Sequence, residues 1–387
     1  MKKKIAILGS TGSIGKTLIN IIKQDKKNFE IVLLSADENY KELLKQAKFF
    51  KVKNLIVTNE YSYDKIKKDK FSKKINIYNN FNSFKKIFKK KIDYTMSSIS
   101  GIQGLKPTIE IVKFTNKIAI ANKESIICGW DLIEKELKKN KTEFIPVDSE
   151  HFSIWYALKD VDKKLIEKIY ITASGGPFLY KSLNELRNVS SKQAIKHPNW
   201  KMGKKISIDS ATMMNKVFEI IEAKKIFNLS YKKLSILVHP KSYIHAIIKL
   251  KNGLTKIVAH DTNMKIPIFN SLYSSNNFIN SKKLNLKILN NLALKEIDYK
   301  RFSVIKILNK LPENSSLFET ILVSINDKLV ELFLANKIKF TDIPKKMHNM
   351  LDLNELKKYK MIKPRKINDI IFLNNKIRSK IEVKSKV

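Results

Sequence analysis

Two carboxylates two residues apart, Asp148 and Glu150, stand in the run Pro146-Val147-Asp148-Ser149-Glu150-His151, directly after the apolar pair Phe144 and Ile145. Side chains of an extended segment repeat every second residue, so this spacing predicts both acids on the same side. Converging carboxylates repel unless a positive charge lies between them. A hard divalent cation such as Mg²⁺ or Mn²⁺, which takes oxygen ligands, meets that need. A lone Asp-x-Glu is more often a solvated loop, so the metal reading depends on what the rest of the chain brings to it.

Polar side chains and glycines crowd the interval that follows, through Ser174-Gly175-Gly176-Pro177, His197-Pro198-Asn199-Trp200, Met202-Gly203 and Ser207 to Glu222. Buried polar groups without partners are costly, so this density predicts a site and not a structural loop. The run Asp209 to Lys216 leads into an expected helix on which Asn215, Glu219 and Glu222 share a face. Asp209 or Ser210 is the expected cap of that helix. Earlier in the chain, Lys123 in Ala121-Asn122-Lys123-Glu124-Ser125 follows a short apolar run, where a lysine either holds an anion or makes a surface ion pair.

These groups need a framework. Residues 4–8 form an apolar strand signal followed at once by Gly9-Ser10-Thr11-Gly12-Ser13-Ile14-Gly15. Leu18, Ile19, Ile21 and Ile22 then give a helical stripe, and residues 30–36 read as the next strand. Strand, glycine turn, helix, strand is the opening of a dinucleotide-binding α/β domain, in which backbone N–H groups at a helix N-terminus receive a pyrophosphate. The G-x-x-G-x-x-G spacing departs from the commoner G-x-G-x-x-G. Apolar runs at 54–58, 94–99 and 118–121 continue the α/β alternation, with the loop Gly101-Ile102-Gln103-Gly104 at a strand's end. Residues 61–91, rich in Lys, Asn and Phe, give no assignable elements. Ser274-Ser275-Asn276-Asn277 reads as a linker. Beyond it Ile325, Leu329, Leu332 and Phe333 recur at helical spacing.

Composition narrows the class. A chain of 387 residues is expected to form two or three domains. No apolar run approaches the roughly 18 to 20 residues of a membrane span. Met1-Lys2-Lys3-Lys4 followed by Ile5 to Leu8 is too short for the apolar core of a signal peptide and reads as the first strand. The single Cys128 rules out an intramolecular disulfide framework and fits a reducing cytosol, so a cytoplasmic location is expected. The formal charge of +40 invites a nucleic-acid reading. Almost all of it is lysine, spread over the chain beside abundant Ile and Asn. Arginine, whose fork suits specific readout, stands only at Arg187, Arg301, Arg365 and Arg378. No specific nucleic-acid partner is expected, only salt-sensitive attraction to polyanions.

Taken in series, Gly9 to Gly15, Ala121 to Ser125, Pro146 to His151, Ser174 to Phe178, His197 to Gly203, Asp209 to Lys216 with Glu219, and His239-Pro240 through His245 resemble the 1-deoxy-D-xylulose 5-phosphate reductoisomerase family. The match runs in order from residue 4 to about 270 and more weakly beyond. The resemblance implies NADPH- and divalent-metal-dependent (Mg²⁺, Mn²⁺ or Co²⁺) conversion of 1-deoxy-D-xylulose 5-phosphate to 2-C-methyl-D-erythritol 4-phosphate in the non-mevalonate isoprenoid pathway. It implies a homodimer without membrane attachment. It also implies an α/β architecture: a Rossmann-like NADPH-binding domain over 1–147, a central α/β catalytic and dimerising domain over 148–273, a linker over 274–300 and a helical domain over 301–387.

Residue by residue, the resemblance assigns Asp148, Glu150 and Glu219 to the metal. Lys123, Ser149 and Glu150 fall at the reacting end of the substrate. Ser174, His197, Ser210, Asn215 and Lys216 grip the substrate phosphate, and Trp200 and Met202 lie on a mobile cover. Thr11, Gly12, Ser13, Ile14, Asn39, Asn122, Glu124 and Gly203 match cofactor-binding positions. His245 and Met264 match positions near cofactor or substrate, against an equal prospect of core packing. Glu222, beside Glu219, is expected behind the ligands. His151 is left outside the ligand set. Two departures stand out. The family often reads Gly-Lys-Asn after the second strand, where this chain has Asp37-Glu38-Asn39, and two acids there predict a weakened preference for NADPH. Val217 replaces a common glycine at a helical position that tolerates it. Two rival readings remain: a basic nucleic-acid-binding protein, disfavoured by the dispersed lysines, and an inactive nucleotide-binding relative, disfavoured by the survival of all three carboxylates.

Overall fold

The first strand, β1 (Lys3–Leu8), buries Ile5, Ala6, Ile7 and Leu8 completely, as an apolar run covered on both faces does in a parallel sheet. This computed structural model describes residues 1–273 and 277–384. By its packing the chain divides into two units. One comprises Met1–Ser125, Asp131–Asp148 and Met264–Ile279; the other comprises Ile126–Trp130, Ser149–Asn263 and Asn280–Val387.

In the first unit β1 joins β2 (Phe29–Ala36), β3 (Asn54–Val57), β4 (Asn76–Tyr78), β5 (Ile92–Ser97), β6 (Thr115–Ile120) and β7 (Glu143–Pro146). All seven are parallel, in the order β4-β3-β2-β1-β5-β6-β7. The order reverses at β1, which makes the turn after it the topological switch point where such sheets bind ligands. Helix α1 (Ser13–Gln24) buries Leu18, Ile19, Ile21 and Ile22, the stripe read from sequence. Helices α2 (Tyr40–Phe50) and α3 (Lys123–Asn140, kinked at Gly129) follow β2 and β6. Within the unreadable interval a helix spans Glu60–Lys67 and the sheet edge is β4, three residues long and only partly covered, too short for a period to show. The core is completed by Ile268, Phe269 and Leu272 of the distant helix Lys265–Leu272, whose Ser271 hydroxyl bonds Tyr94 Oη at 2.8 Å. Met264, partly buried, packs against this same core.

The second unit carries β8 (Ile166–Ala173), β9 (Leu234–Val238), β10 (Ile244–Leu250) and β11 (Thr255–Ala259) in the order β11-β10-β8-β9. Only β8 and β9 run parallel. Helices α4 (Ser149–Ala157) and α6 (Met214–Phe227) pack on this sheet, and α5 (Lys204–Thr212) packs on α6. Residues 274–276 of the expected linker lie outside the described residues. The chain after them holds a helical turn at Leu286–Leu289, and Lys295 pairs with Val238 through N–H to carbonyl bonds of 2.8 and 2.9 Å. The C-terminal part is helical: α7 (Leu317–Leu334), opened by a Ser316/Glu319 capping box, packs with α8 (Asp342–Leu351) and α9 (Ile367–Lys384). Ile325, Leu329, Leu332 and Phe333 are all buried on α7.

Two local expectations are corrected. Strand β7 ends at Pro146 and α4 begins at Ser149, so Asp148 and Glu150 do not alternate along one extended segment. They are brought together by a strand-to-helix junction. Asp209 and Ser210 do not cap α6, because both lie within α5. The break between the helices is Met213, held left-handed at φ 70°, and the α6 N-terminus is served instead by Thr212 Oγ1, which accepts from Met214 N at 3.3 Å.

Candidate active site

Helix α6 is buried on almost every side. Met214, Val217, Phe218, Ile220, Ile221 and Ala223 lie in the core, and so do Lys216, Glu219 and Glu222. Charges in such a place must find partners. Lys216 Nζ lies 2.9 Å from Glu150 Oε1 and 2.5 Å from Glu219 Oε2. Asn215, one turn ahead, donates its amide to Glu219 Oε1, and Ser149 Oγ donates to Glu150 Oε2. Burial alone would lower the Lys216 pKa, but the fields of Glu150 and Glu219 outweigh it and hold the ammonium above the ordinary lysine value.

Asp148 is joined to Glu150 through Ser149 alone. One oxygen from each of Asp148, Glu150 and Glu219 lies within 4.8 Å of the others. At the first residue of α3, Lys123 donates to Asp148 Oδ2. Lys123 and Lys216 both bring positive charge to these carboxylates, as a cation there would.

His151, which sequence reasoning set aside, is fully buried. Its Nε2 donates to the Glu219 carbonyl at 2.9 Å, and its Nδ1 lies 4.0 Å from Glu222 Oε2. The imidazole thus ties α4 to α6 directly behind two of the carboxylates. Nothing in the sequence distinguishes it from any histidine on a helix; only the packing of α4 on α6 reveals it.

Beside the acids is a set of hydroxyl and imidazole groups. His197 Nδ1 accepts from the backbone N–H groups of Asn199 (3.1 Å) and Trp200 (2.9 Å), which fixes the ring proton on Nε2. That Nε2–H points at Ser174 Oγ, 2.9 Å away, and the same oxygen accepts from Gly176 N at 3.1 Å. With two donors already on its oxygen, the Ser174 hydroxyl has its own proton left to give. Burial, reinforced by the Lys216 charge, lowers the His197 pKa to about 4, so the ring is neutral at physiological pH. Gly176, at φ 69°, brings this turn against α5: a Cβ there would lie 2.8 Å from Ala211 Cα and 2.9 Å from the Ser210 carbonyl. Ser174, His197, Ser210, Asn215, Lys216 and Glu219 are thereby gathered on neighbouring elements of one unit.

Trp200 is half-buried and meets the His245 ring edge-on at 5.9 Å, while His245 stacks on His260 at 3.8 Å. His260 is another residue that sequence reasoning passed over. Its pKa is lowered by burial, against an opposing pull from the Asp261 carbonyl and the Glu150 charge. Met202 is half-buried, and Gly203 is exposed at the start of α5.

The glycine turn is built for close approach. Gly9 takes φ 80°, and a Cβ on it would lie 2.8 Å from the Ser98 carbonyl; one on Gly15 would lie 2.4 Å from Gly9 O. Helix α1 has no side-chain cap, so Thr11, Gly12, Ser13 and Ile14 leave the helix N-terminus open to an anion. Asn122 caps α3 through Ser125 N (2.5 Å) and braces the Gly101 loop by donating to Gly101 O (2.8 Å), with Glu124 buried in the first turn. Asn39 caps α2 by accepting from Glu42 N.

Three family models match the chain in series: 1-deoxy-D-xylulose 5-phosphate reductoisomerase over residues 5–129, the C-terminal domain of that enzyme over 144–227, and a DXP reductoisomerase C-terminal domain over 261–380. The 1-deoxy-D-xylulose 5-phosphate reductoisomerase of Pelagibacter ubique (strain HTCC1062) is 61% identical over 382 residues, 98% of each chain. That of Wolbachia pipientis wMel is 40% identical over 345 residues, 88% of each chain. A crystal structure of DOX-P reductoisomerase with NADPH, fosmidomycin and magnesium matches with a TM-score of 0.91 at 30% identity, covering 99% of this chain and 98% of that one. The Zymomonas mobilis enzyme in complex with NADPH matches at 0.87 and 29% identity, covering 100% and 99%.

Proposed function

The chain belongs to the 1-deoxy-D-xylulose 5-phosphate reductoisomerase family, and from that premise we propose which of its residues carry the reaction. The reaction is the NADPH- and divalent-metal-dependent rearrangement and reduction of 1-deoxy-D-xylulose 5-phosphate to 2-C-methyl-D-erythritol 4-phosphate, a step of the non-mevalonate route to isoprenoid precursors.

The observation that carries the assignment is the convergence of Asp148, Glu150 and Glu219 with an ammonium drawn between two of them. Lys216 holds positive charge where a cation is wanted, and three hard oxygen donors suit Mg²⁺, Mn²⁺ or Co²⁺. When bound, the metal polarises the adjacent oxygens of the substrate as a Lewis acid and template, and NADPH supplies the hydride.

The protein's share is positioning and charge. Asn215 fixes one oxygen of Glu219, and Ser149 fixes one oxygen of Glu150. Lys123 steadies Asp148 and, with Ser149, stands at the reacting end of the substrate. The phosphate falls to Ser174, His197, Ser210, Asn215 and Lys216: hydroxyl protons, an amide and a cation. Neutral His197 orients Ser174 so that the hydroxyl donates outward. Trp200 and Met202 cover the substrate and exclude water from its reactive intermediates. On the cofactor side, the turn Thr11 to Ile14 takes the pyrophosphate, with Asn39, Asn122, Glu124 and Gly203 at the starts of α2, α3 and α5 as further cofactor positions.

We assign cofactor binding to residues 1–147 and metal and substrate binding to 148–273, with the helical part 301–387 supporting them. We also assign the protein to the cytoplasm as a homodimer. In support of association, β11 is an edge strand with Ile257 exposed and with exposed Leu254 just before it, the kind of edge that seeks a partner. Among the described residues no helix is long and apolar enough to cross a membrane.

The deciding assay follows NADPH oxidation with substrate, with and without Mg²⁺ or Mn²⁺, in wild type and Glu150→Gln. Turnover that needs the metal and collapses in the variant supports the reading; metal-independent turnover, or full activity in Glu150→Gln, refutes it.

A further inference from the structure

Resting on the reductase reading above, we propose that Asp37, pinned by Thr58, makes the ribose end of the dinucleotide site receptive to a 2′-hydroxyl and hostile to a 2′-phosphate, so that this chain accepts NADH alongside NADPH. Asp37 is the residue immediately after β2, the strand beside β1 at the switch point. In dinucleotide-binding sheets an acid about 20 residues past the glycine turn receives the ribose hydroxyls of NAD, whereas sites for NADP place an arginine there for the phosphate.

The structure adds that this acid is fixed. Thr58 N–H continues the β2–β3 ladder to Ala36 O at 3.2 Å, and its hydroxyl donates to Asp37 Oδ1 at 2.7 Å. The next residues are equally committed. The Glu38 carbonyl accepts from Ser62 Oγ at 2.8 Å and from Tyr40 N at 2.8 Å, and Asn39 Oδ1 is engaged in capping α2. The segment therefore has no slack with which to turn Asp37 away from an incoming phosphate. An ionised carboxylate only accepts hydrogen bonds. Asp37 has a second oxygen for ribose hydroxyl donors and nothing to offer a phosphate oxygen. Glu38 places a second exposed acid next to it, and among the described residues neither forms an ion pair with a lysine. The +40 charge of the chain draws any phosphate toward the protein, but it is spread over the surface and screened beyond about 8 Å. Asp37 and Glu38 act within contact range and decide the discrimination.

The test measures the Kd of NADP⁺ and of NAD⁺ on the full chain by titration calorimetry, without substrate or metal, alongside kcat/KM for NADPH and NADH. Wild type is expected to bind NADP⁺ at most about tenfold more tightly than NAD⁺, a preference for NAD⁺ included, and Asp37→Asn with Glu38→Gln to move that ratio toward NADP⁺ by about tenfold, the size of removing acid charge near a dianion at the protein surface. Thr58→Val, which frees the carboxylate to swing away, is expected to move it in the same direction by less. A wild-type preference for NADP⁺ of a hundredfold or more, or a ratio unmoved by neutralising both acids, overturns the inference and leaves the reductase reading standing. Binding of neither nucleotide at millimolar concentration overturns both.

Discussion

Replacing Lys216 by methionine separates the two demands placed on this site. Met keeps the length and apolar stem of the side chain but removes the ammonium that lies 2.9 Å from Glu150 and 2.5 Å from Glu219. Glu219 is only 1% exposed, so without metal the variant keeps a buried carboxylate that has lost its ammonium partner and retains the Asn215 hydrogen bond. Breaking a buried pair in this way costs about 3 to 5 kcal/mol. At about 1.2 °C per kcal/mol for a chain of this size, the metal-free melting temperature should fall by about 4 to 6 °C. The same removal takes away the cation that competes with a divalent ion for those carboxylates. Mg²⁺ or Mn²⁺ should therefore bind Lys216→Met more tightly than wild type and recover most of the lost stability, since ligand binding to the folded state stabilises in proportion to the logarithm of saturation. Activity should not recover, because Lys216 is also the cation we assign to the substrate phosphate. The assay is a thermal melt of both proteins across a metal titration, paired with steady-state kinetics. A variant that melts with wild type in the absence of metal, or that gains no more from Mg²⁺ than wild type does, refutes the charge-balance reasoning.

Four further outcomes follow from the same geometry. His197, with its pKa lowered to about 4 by burial and the nearby Lys216 charge, should show no imidazole titration by NMR between pH 5 and 8; a midpoint near 6.5 would contradict its placement. Because that folded pKa lies below the ordinary value, its contribution to stability is fully present above about pH 6.5 and is lost as pH falls toward 4, so acid melts should show a loss in that window that His197→Gln reduces. Gly176→Ala sets a Cβ 2.8 Å from Ala211 Cα at φ 69°, and should raise the substrate KM at least tenfold while destabilising the chain by about 1 to 2 kcal/mol or more; an unchanged KM would detach the Ser174 turn from phosphate binding. Gly15→Ala, whose Cβ would lie 2.4 Å from Gly9 O, should abolish NADPH binding measured by fluorescence while leaving Mn²⁺ binding intact.

The sequence by itself determined the parts whose physics is local. The strand, glycine turn and helix at 4–22 follow from apolar period and backbone freedom over neighbouring residues, and β1 and α1 form there. The Asn215–Glu219 relation follows from helical pitch, and the structure joins the two by a hydrogen bond. The acids, hydroxyls and lysines of the site were legible because clustered polar residues in an otherwise apolar stretch need a reason to be there. Tertiary structure decided what depends on elements distant in sequence. Strand β4 escaped notice because three residues, one exposed and two half-covered, carry no period. The helix Lys265–Leu272 joins the first unit's core through packing that no local pattern encodes. Asp148 and Glu150 converge through a strand-to-helix junction and not through strand alternation. His151 is written as an ordinary helical histidine, and only the packing of α4 on α6 sets its ring against the Glu219 carbonyl. Asp37 announces an acid after β2, but that it is held there depends on Thr58, 21 residues on, and on the register of β2 with β3. Local period and composition propose which groups do chemistry; burial and register, which sum over the whole chain, determine which of them are paired, neutral or fixed.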